Sequence, residues 1–111
     1  MKTEKFGSYI RTLRENANLP LRKLAFSLDI DQSTLSKIER GERQFTSDMI
    51  PKIAKVFSIE FKELQVMFLK EKLLNDLTNE KFALEAIIEV QKELKAKPWI
   101  LKLKTERFSH H

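Results

Sequence analysis

The segment Asp31–Arg43, "DQSTLSKIERGER", gathers side chains that donate and accept hydrogen bonds: Gln32, Ser33, Thr34, Ser36, Lys37 and Arg40. Between Gln32 and Arg40 only Leu35 and Ile38 are apolar, three residues apart. An amide, three hydroxyls and two cations in so short a span suit recognition of a hydrogen-bonding surface. They do not suit bond-breaking chemistry. The chain has no cysteine, so thiolate catalysis, disulfides and cysteine zinc sites are excluded. No serine is followed by a plausible base, and no acidic cluster has metal-ligand spacing, so neither catalytic residues nor a metal or cofactor site is expected. The two histidines, His110 and His111, close the sequence and read as the remnant of an affinity tag.

The elements that must position this segment can be read from periodicity. Phe6, Ile10, Leu13 and Ala17 share one face of a first helix, which "NLP" interrupts. Pro20 suits the first turn of the next helix, where Leu21, Leu24, Ala25 and Leu28 recur at i, i+3, i+4 and i+7. A tight turn through Ile30 follows, and Asp31 is placed to cap a third helix with its carboxylate. That helix touches the core through the Leu35–Ile38 ridge alone and ends at Gly41, where a left-handed residue is easiest. A fourth helix starts after Thr46–Ser47–Asp48 with Ile50, Ile53, Ala54 and Phe57 inward, and Pro51 falls early in it. A longer fifth helix carries Leu64, Met67, Phe68, Leu69, Leu73, Leu74 and Leu77. "NDLTNE" is a polar break with a capping sequence at Thr78. A sixth helix then presents Ala83, Ile87, Val90 and Leu94, with Phe82, Leu84 and Ile88 beside them and Pro98 as its stop. The tail "WILKLKTERFSHH" reads as a short strand or as disorder.

Composition narrows the class. In 111 residues there are two glycines and three prolines, 41% hydrophobic and 33% charged side chains, as in an ordinary helical globular protein. The net charge of +5 favours a polyanionic partner only weakly. The excess is spread as +3 over residues 1–60 and +2 over residues 61–111. No apolar run approaches the roughly 20 residues that span a bilayer, and "MKTEKFGSYIR" has no signal-peptide core, so a cytoplasmic location away from membranes is expected.

A capped helix after a tight turn, anchored by two aliphatics and polar elsewhere, meets the requirements of a major-groove reader. The groove of duplex DNA admits one α-helix, and short polar side chains near its N-terminus read base edges. Gln32, Ser33, Thr34, Ser36 and Lys37 are the candidate base-reading residues; glutamine pairs with adenine and lysine with guanine. Arg22, Lys23, Arg40, Arg43 and Gln44 are candidates for phosphate contacts that fix register.

Residues 6–64, through "LPLRKLAFSLDIDQSTLSKIERGER" and "IPKIAKVFSIEFKEL", resemble the helix-turn-helix domain of Xre-type regulators, the family of the lambda and 434 phage repressors. The resemblance implies an all-α fold: a five-helix DNA-binding bundle in which Leu21–Asp29 and Gln32–Arg40 form the helix-turn-helix. It also implies an ion pair between Arg14 and Glu39. Leu21 departs from a glutamine that often holds phosphate in the family, a role Arg22 or Lys23 can take over. Asp29 stands where glycine is usual, and Phe45 replaces a proline common after "GxR"; this either loosens that loop or sets an aromatic near the DNA backbone. The expected division is a DNA-binding domain over residues 1–66, a helical hairpin over 67–97 and a tail over 98–111. The surplus apolar surface of the hairpin, at Leu73, Leu77, Ile87, Val90 and Leu94, suits a homodimer interface. The expected function is a transcriptional regulator that binds an inverted-repeat operator on double-stranded DNA, such as a controller of a restriction–modification system or mobile element. The rival is an antitoxin-like interaction module whose C-terminal helices bind a protein partner.

Overall fold

The computed structural model describes residues 5–97, and the tail expected from residue 98 onward lies outside them. Among the described residues there are six helices and no strand: α1 (Phe6–Asn16), α2 (Leu21–Ser27), α3 (Gln32–Glu39), α4 (Met49–Phe57), α5 (Phe61–Leu77) and α6 (Ala83–Ala96). The chain forms two compact units that divide after Asn75, so α5 belongs to the first unit over most of its length and enters the second at its end.

The core of the first unit follows the periodic positions. Ile10, Leu24, Leu28, Leu35, Ile50, Ile53 and Leu64 are fully buried. Phe6 adds an aromatic cluster, meeting Phe45 edge-on at 5.6 Å between centroids and Phe68 at 6.2 Å. Such pairs add stabilisation beyond their buried area. Phe45 is therefore a core residue, neither loosening its loop nor standing at a DNA backbone, because Phe6 offers it an apolar wall. Ala17, expected on the inner face of α1, is exposed: the helix has already ended and Ala17 is its C-cap. Leu69, Leu73 and Leu74 also stay exposed, since only Leu64 and Phe68 of α5 face the core fully.

Four helices end the same way. Asn18, Asp29, Gly41 and Ser58 have φ of 54°, 60°, 82° and 54°. At each end the N–H of the next residue reaches back five positions: Leu19 to Arg14 O (3.0 Å), Ile30 to Ala25 O (3.0 Å), Glu42 to Lys37 O (2.9 Å) and Ile59 to Ala54 O (2.9 Å). This is the Schellman closure, which satisfies carbonyls that the helix leaves open. At Asp29 it ends α2 and leaves four residues, Leu28 to Asp31, before α3 begins. Asp29 accepts the left-handed conformation because a short polar side chain tolerates it better than most.

Helix starts depart more from expectation. Pro20 sits one residue before α2 as its N-cap, with an extended backbone, and its carbonyl accepts from Lys23 and Leu24. Asp48 does not cap α4 with its side chain; the Thr46 hydroxyl donates to its carboxylate and holds its pKa below the ordinary value. Thr78 does not open α6, which begins after Phe82, with no side-chain cap bond there. Pro51 is the third residue of α4, within the first turn, where its missing N–H leaves no helical bond unmade.

Two contacts suspend α3 from α1. A β-carbon on Gly7 would lie 2.2 Å from the Ile38 carbonyl oxygen, so only glycine lets the two backbones approach this closely. Arg14 forks onto Glu39, Nε to Oε2 at 2.8 Å and Nη2 to Oε1 at 3.1 Å, and its Nη1 donates to Leu19 O at 3.0 Å. The side chains are 13% and 4% exposed. The hydrogen bond to Glu39 holds the Arg14 guanidinium above its ordinary pKa, so the guanidinium stays charged. Two predictions follow from these contacts. A helical Gly→Ala change usually stabilises by about 1 kcal/mol, but Gly7→Ala is expected to cost about 1–3 kcal/mol in urea melts because the clash is with backbone; a stabilised variant would place the helices farther apart. Arg14→Ala leaves a buried carboxylate without its partner and should cost about 3–5 kcal/mol, most of it regained in an Arg14→Met, Glu39→Leu double variant. Equal losses in both would deny that the charge is the problem.

Candidate nucleic-acid interface

The third helix is positioned by its inner edge and decorated on its outer one. Asp31 caps it: Oδ1 accepts from the Thr34 N–H at 2.7 Å. Hydrogen bonding from Thr34, through side chain and backbone, holds the Asp31 carboxyl below its ordinary pKa. The cap is therefore charged at neutral pH and is lost only as pH falls through that lowered value. Leu35, Ile38 and Glu39 are buried, which fixes the roll of the helix about its axis.

With about 100° per residue, Gln32, Ser36, Arg40, Ser33 and Lys37 fall within an arc of about 140° on the opposite side. Gln32, Ser33, Lys37 and Arg40 are exposed and Ser36 is half-buried. Thr34 lies at the edge of that arc beside Ile38 and is half-buried, so it presents less of itself than the sequence suggested. Arg40 stands near the middle of the arc. It forms an ion pair with Glu42, and its Nη1 donates to Ser36 Oγ at 3.1 Å.

The flanking candidates come from two elements. Arg22 and Lys23 are exposed in the first turn of α2, and Arg43 and Gln44 are exposed in the loop after the α3 cap. Leu21, where a phosphate-holding glutamine was missed, packs partly against the core. Two features were not anticipated. Phe26, a turn beyond Arg22 and Lys23 on α2, is 87% exposed. Glu71 of α5 accepts from the Phe6 N–H at 2.8 Å, capping α1 from another helix where Lys5 makes no side-chain cap. An exposed phenylalanine leaves no trace in apolar periodicity, and a cap supplied from 65 residues away leaves none in local sequence.

The apolar side chains set aside for a second chain are available. Leu73, Val90 and Leu94 are about half exposed, and Leu77 and Ile87 are half-buried. Among the described residues no group of three or more His, Cys, Asp or Glu side chains is placed to hold a metal ion, and no helix is long and apolar enough to cross a membrane.

Comparison with known proteins agrees with this geometry. A helix-turn-helix family model matches residues 10–64, from the middle of α1 into α5. Control protein C.BamHI of Bacillus amyloliquefaciens is 38% identical over 60 residues, which make up 53% of this chain and 74% of that protein. Two uncharacterized helix-turn-helix-type transcriptional regulators from strains of Mycobacterium tuberculosis are 37% identical over 60 residues, 54% of this chain and 43% of theirs. No solved structure matches significantly. The segment that the family model matches holds the buried anchors of α3, its polar face and the Arg14–Glu39 pair, and the chain belongs to the Xre-like helix-turn-helix family of DNA-binding transcriptional regulators.

Proposed function

We propose that the protein binds an inverted-repeat operator in double-stranded DNA as a homodimer, acting in the cytoplasm, with α3 lowered into the major groove. The observation that carries this reading is the division of α3 into a buried edge of Leu35, Ile38 and Glu39 and an outward arc of hydrogen-bonding side chains. Gln32, Ser33, Ser36 and Lys37 meet base edges, with Thr34 at the margin. Arg22, Lys23, Arg43 and Gln44 meet phosphates on either side, and Arg40 joins them under the condition described below. Residues 1–66 carry the reading function and residues 67–97 the pairing of two chains, with α5 serving both, since Phe68 still packs in the bundle core.

Pairing is supported by the exposed apolar side chains of α5 and α6. On α5 Leu69, Leu73 and Leu74 and on α6 Leu84, Ile88, Val90 and Leu94 are about half exposed or more, and apolar side chains grouped on a helix in this way commonly mark an interface. A two-fold dimer places its recognition helices one helical turn of DNA apart, about 34 Å. The control-protein designation of one relative supports a small autonomous controller, of a restriction–modification system or a mobile element. Selection of bound sequences from a random DNA pool should return an inverted repeat, and light scattering should give twice the mass of the chain. A selected sequence without two-fold symmetry, or a chain that is monomeric or aggregates, would favour the antitoxin-like reading with an absent protein partner.

Two substitutions separate the proposed roles. Lys37→Ala should cost about 1–3 kcal/mol on the selected operator and relax preference at one base position; equal weakening on all sequences would reassign it to the backbone. Arg43→Ala should weaken binding to every sequence and reduce the slope of log K against log salt by about one. An unchanged slope would remove Arg43 from the phosphate set.

A further inference from the structure

The four left-handed helix ends share their hydrogen bonds but not the residue that follows. After α1, α2 and α4 that residue is Leu19, Ile30 or Ile59, each turned back against the core as such closures favour. After α3 it is Glu42, which is exposed and reaches Arg40 instead, Nε to Oε2 at 2.5 Å. The Glu42 backbone is held by its bond to Lys37 O, and Arg40 is held a second time by Ser36 Oγ. The arginine at the centre of the proposed reading face therefore already holds an anion.

We infer that Glu42 is a resident stand-in for phosphate: DNA must displace its carboxylate before Arg40 can neutralise a phosphate. Glu42 thereby lowers affinity for every duplex alike and leaves the ranking of sequences unchanged. The inference rests on the DNA-binding role proposed above. An arginine that meets phosphate directly releases about one counterion from DNA. Here the same event leaves a carboxylate beside the phosphates, which recruits a cation back, so the net release is smaller. The ion pair is open to solvent, 53% and 56% exposed, so its effect is a modest factor rather than a block. A regulator that must leave most of the chromosome unoccupied benefits from such a uniform reduction.

The test compares the wild type, E42Q, R40Q and the double variant on sheared double-stranded DNA of mixed sequence and on the selected operator, between roughly 50 and 200 mM salt. E42Q is expected to bind both DNAs about two- to fivefold more tightly, with a salt slope steeper by up to about one unit. In the R40Q background, where only repulsion between the carboxylate and the phosphates is left to relieve, the same change should give a smaller gain and a smaller change of slope. A gain as large without Arg40 as with it would reduce Glu42 to simple repulsion and overturn the inference, as would a gain confined to the operator or no gain at all. Failure of the wild type to bind any duplex would sink the DNA-binding role itself, and this inference with it. A wild type that binds, with variants that match it, sinks the inference alone.

Discussion

The close approach of α1 to α3 governs the rest of the molecule. An eight-residue helix is too short to persist alone, because nucleation costs more than so few hydrogen bonds return. It must be held, yet the side proposed to read DNA cannot take part in the holding. Gly7 resolves this by letting the α1 backbone reach the Ile38 carbonyl, and Arg14 adds a forked bond to Glu39 on the same edge. Leu35 and Ile38 complete the attachment. The outer arc then carries no packing duty, and its residues can be chosen for what they recognise.

The ends of the helices serve the same purpose. Asp31 starts α3 with a charged cap, and the Gly41 closure stops it within one residue, so neither end frays into the outer face. Of the four Schellman closures, the one at Asp29–Ile30 leaves only four residues between α2 and α3. Three of the four use Asn, Asp or Ser in the left-handed position at some conformational cost, which the partly buried Leu19, Ile30 and Ile59, packed against the core, help to offset. The fourth, on the recognition helix, uses glycine and gives its following residue to the surface. That exchange of an apolar contact for a charge is what draws Glu42 into the account of binding.

Much of this was legible in the residues themselves. The i, i+3, i+4 spacing marked the helices and most core positions, and "DQSTLSKIERGER" announced a capped helix with a narrow apolar ridge. Asp31, Gly41 and Asp29 could be read because capping and left-handed backbone are local chemistry. What escaped depends on distant partners. Phe45 looked like a loop residue until Phe6 was beside it, and the start of α1 is met by Glu71, whose place in the sequence says nothing of that role. Ala17 and Leu69 show the opposite error: apolar periodicity continued where the helix or the core did not. On the face of α3, spacing gave the arc, but only geometry revealed that Arg40 is already engaged.

Everything rests on one helix entering the wide groove of DNA with its polar side down. Methylation interference with dimethyl sulfate tests this directly, since the reagent modifies guanine N7 in the major groove and adenine N3 in the minor groove. The account predicts that N7 methylation within both half-sites abolishes binding while N3 methylation there is tolerated. Interference at adenine N3 alone, with methylated guanines accepted, would contradict it.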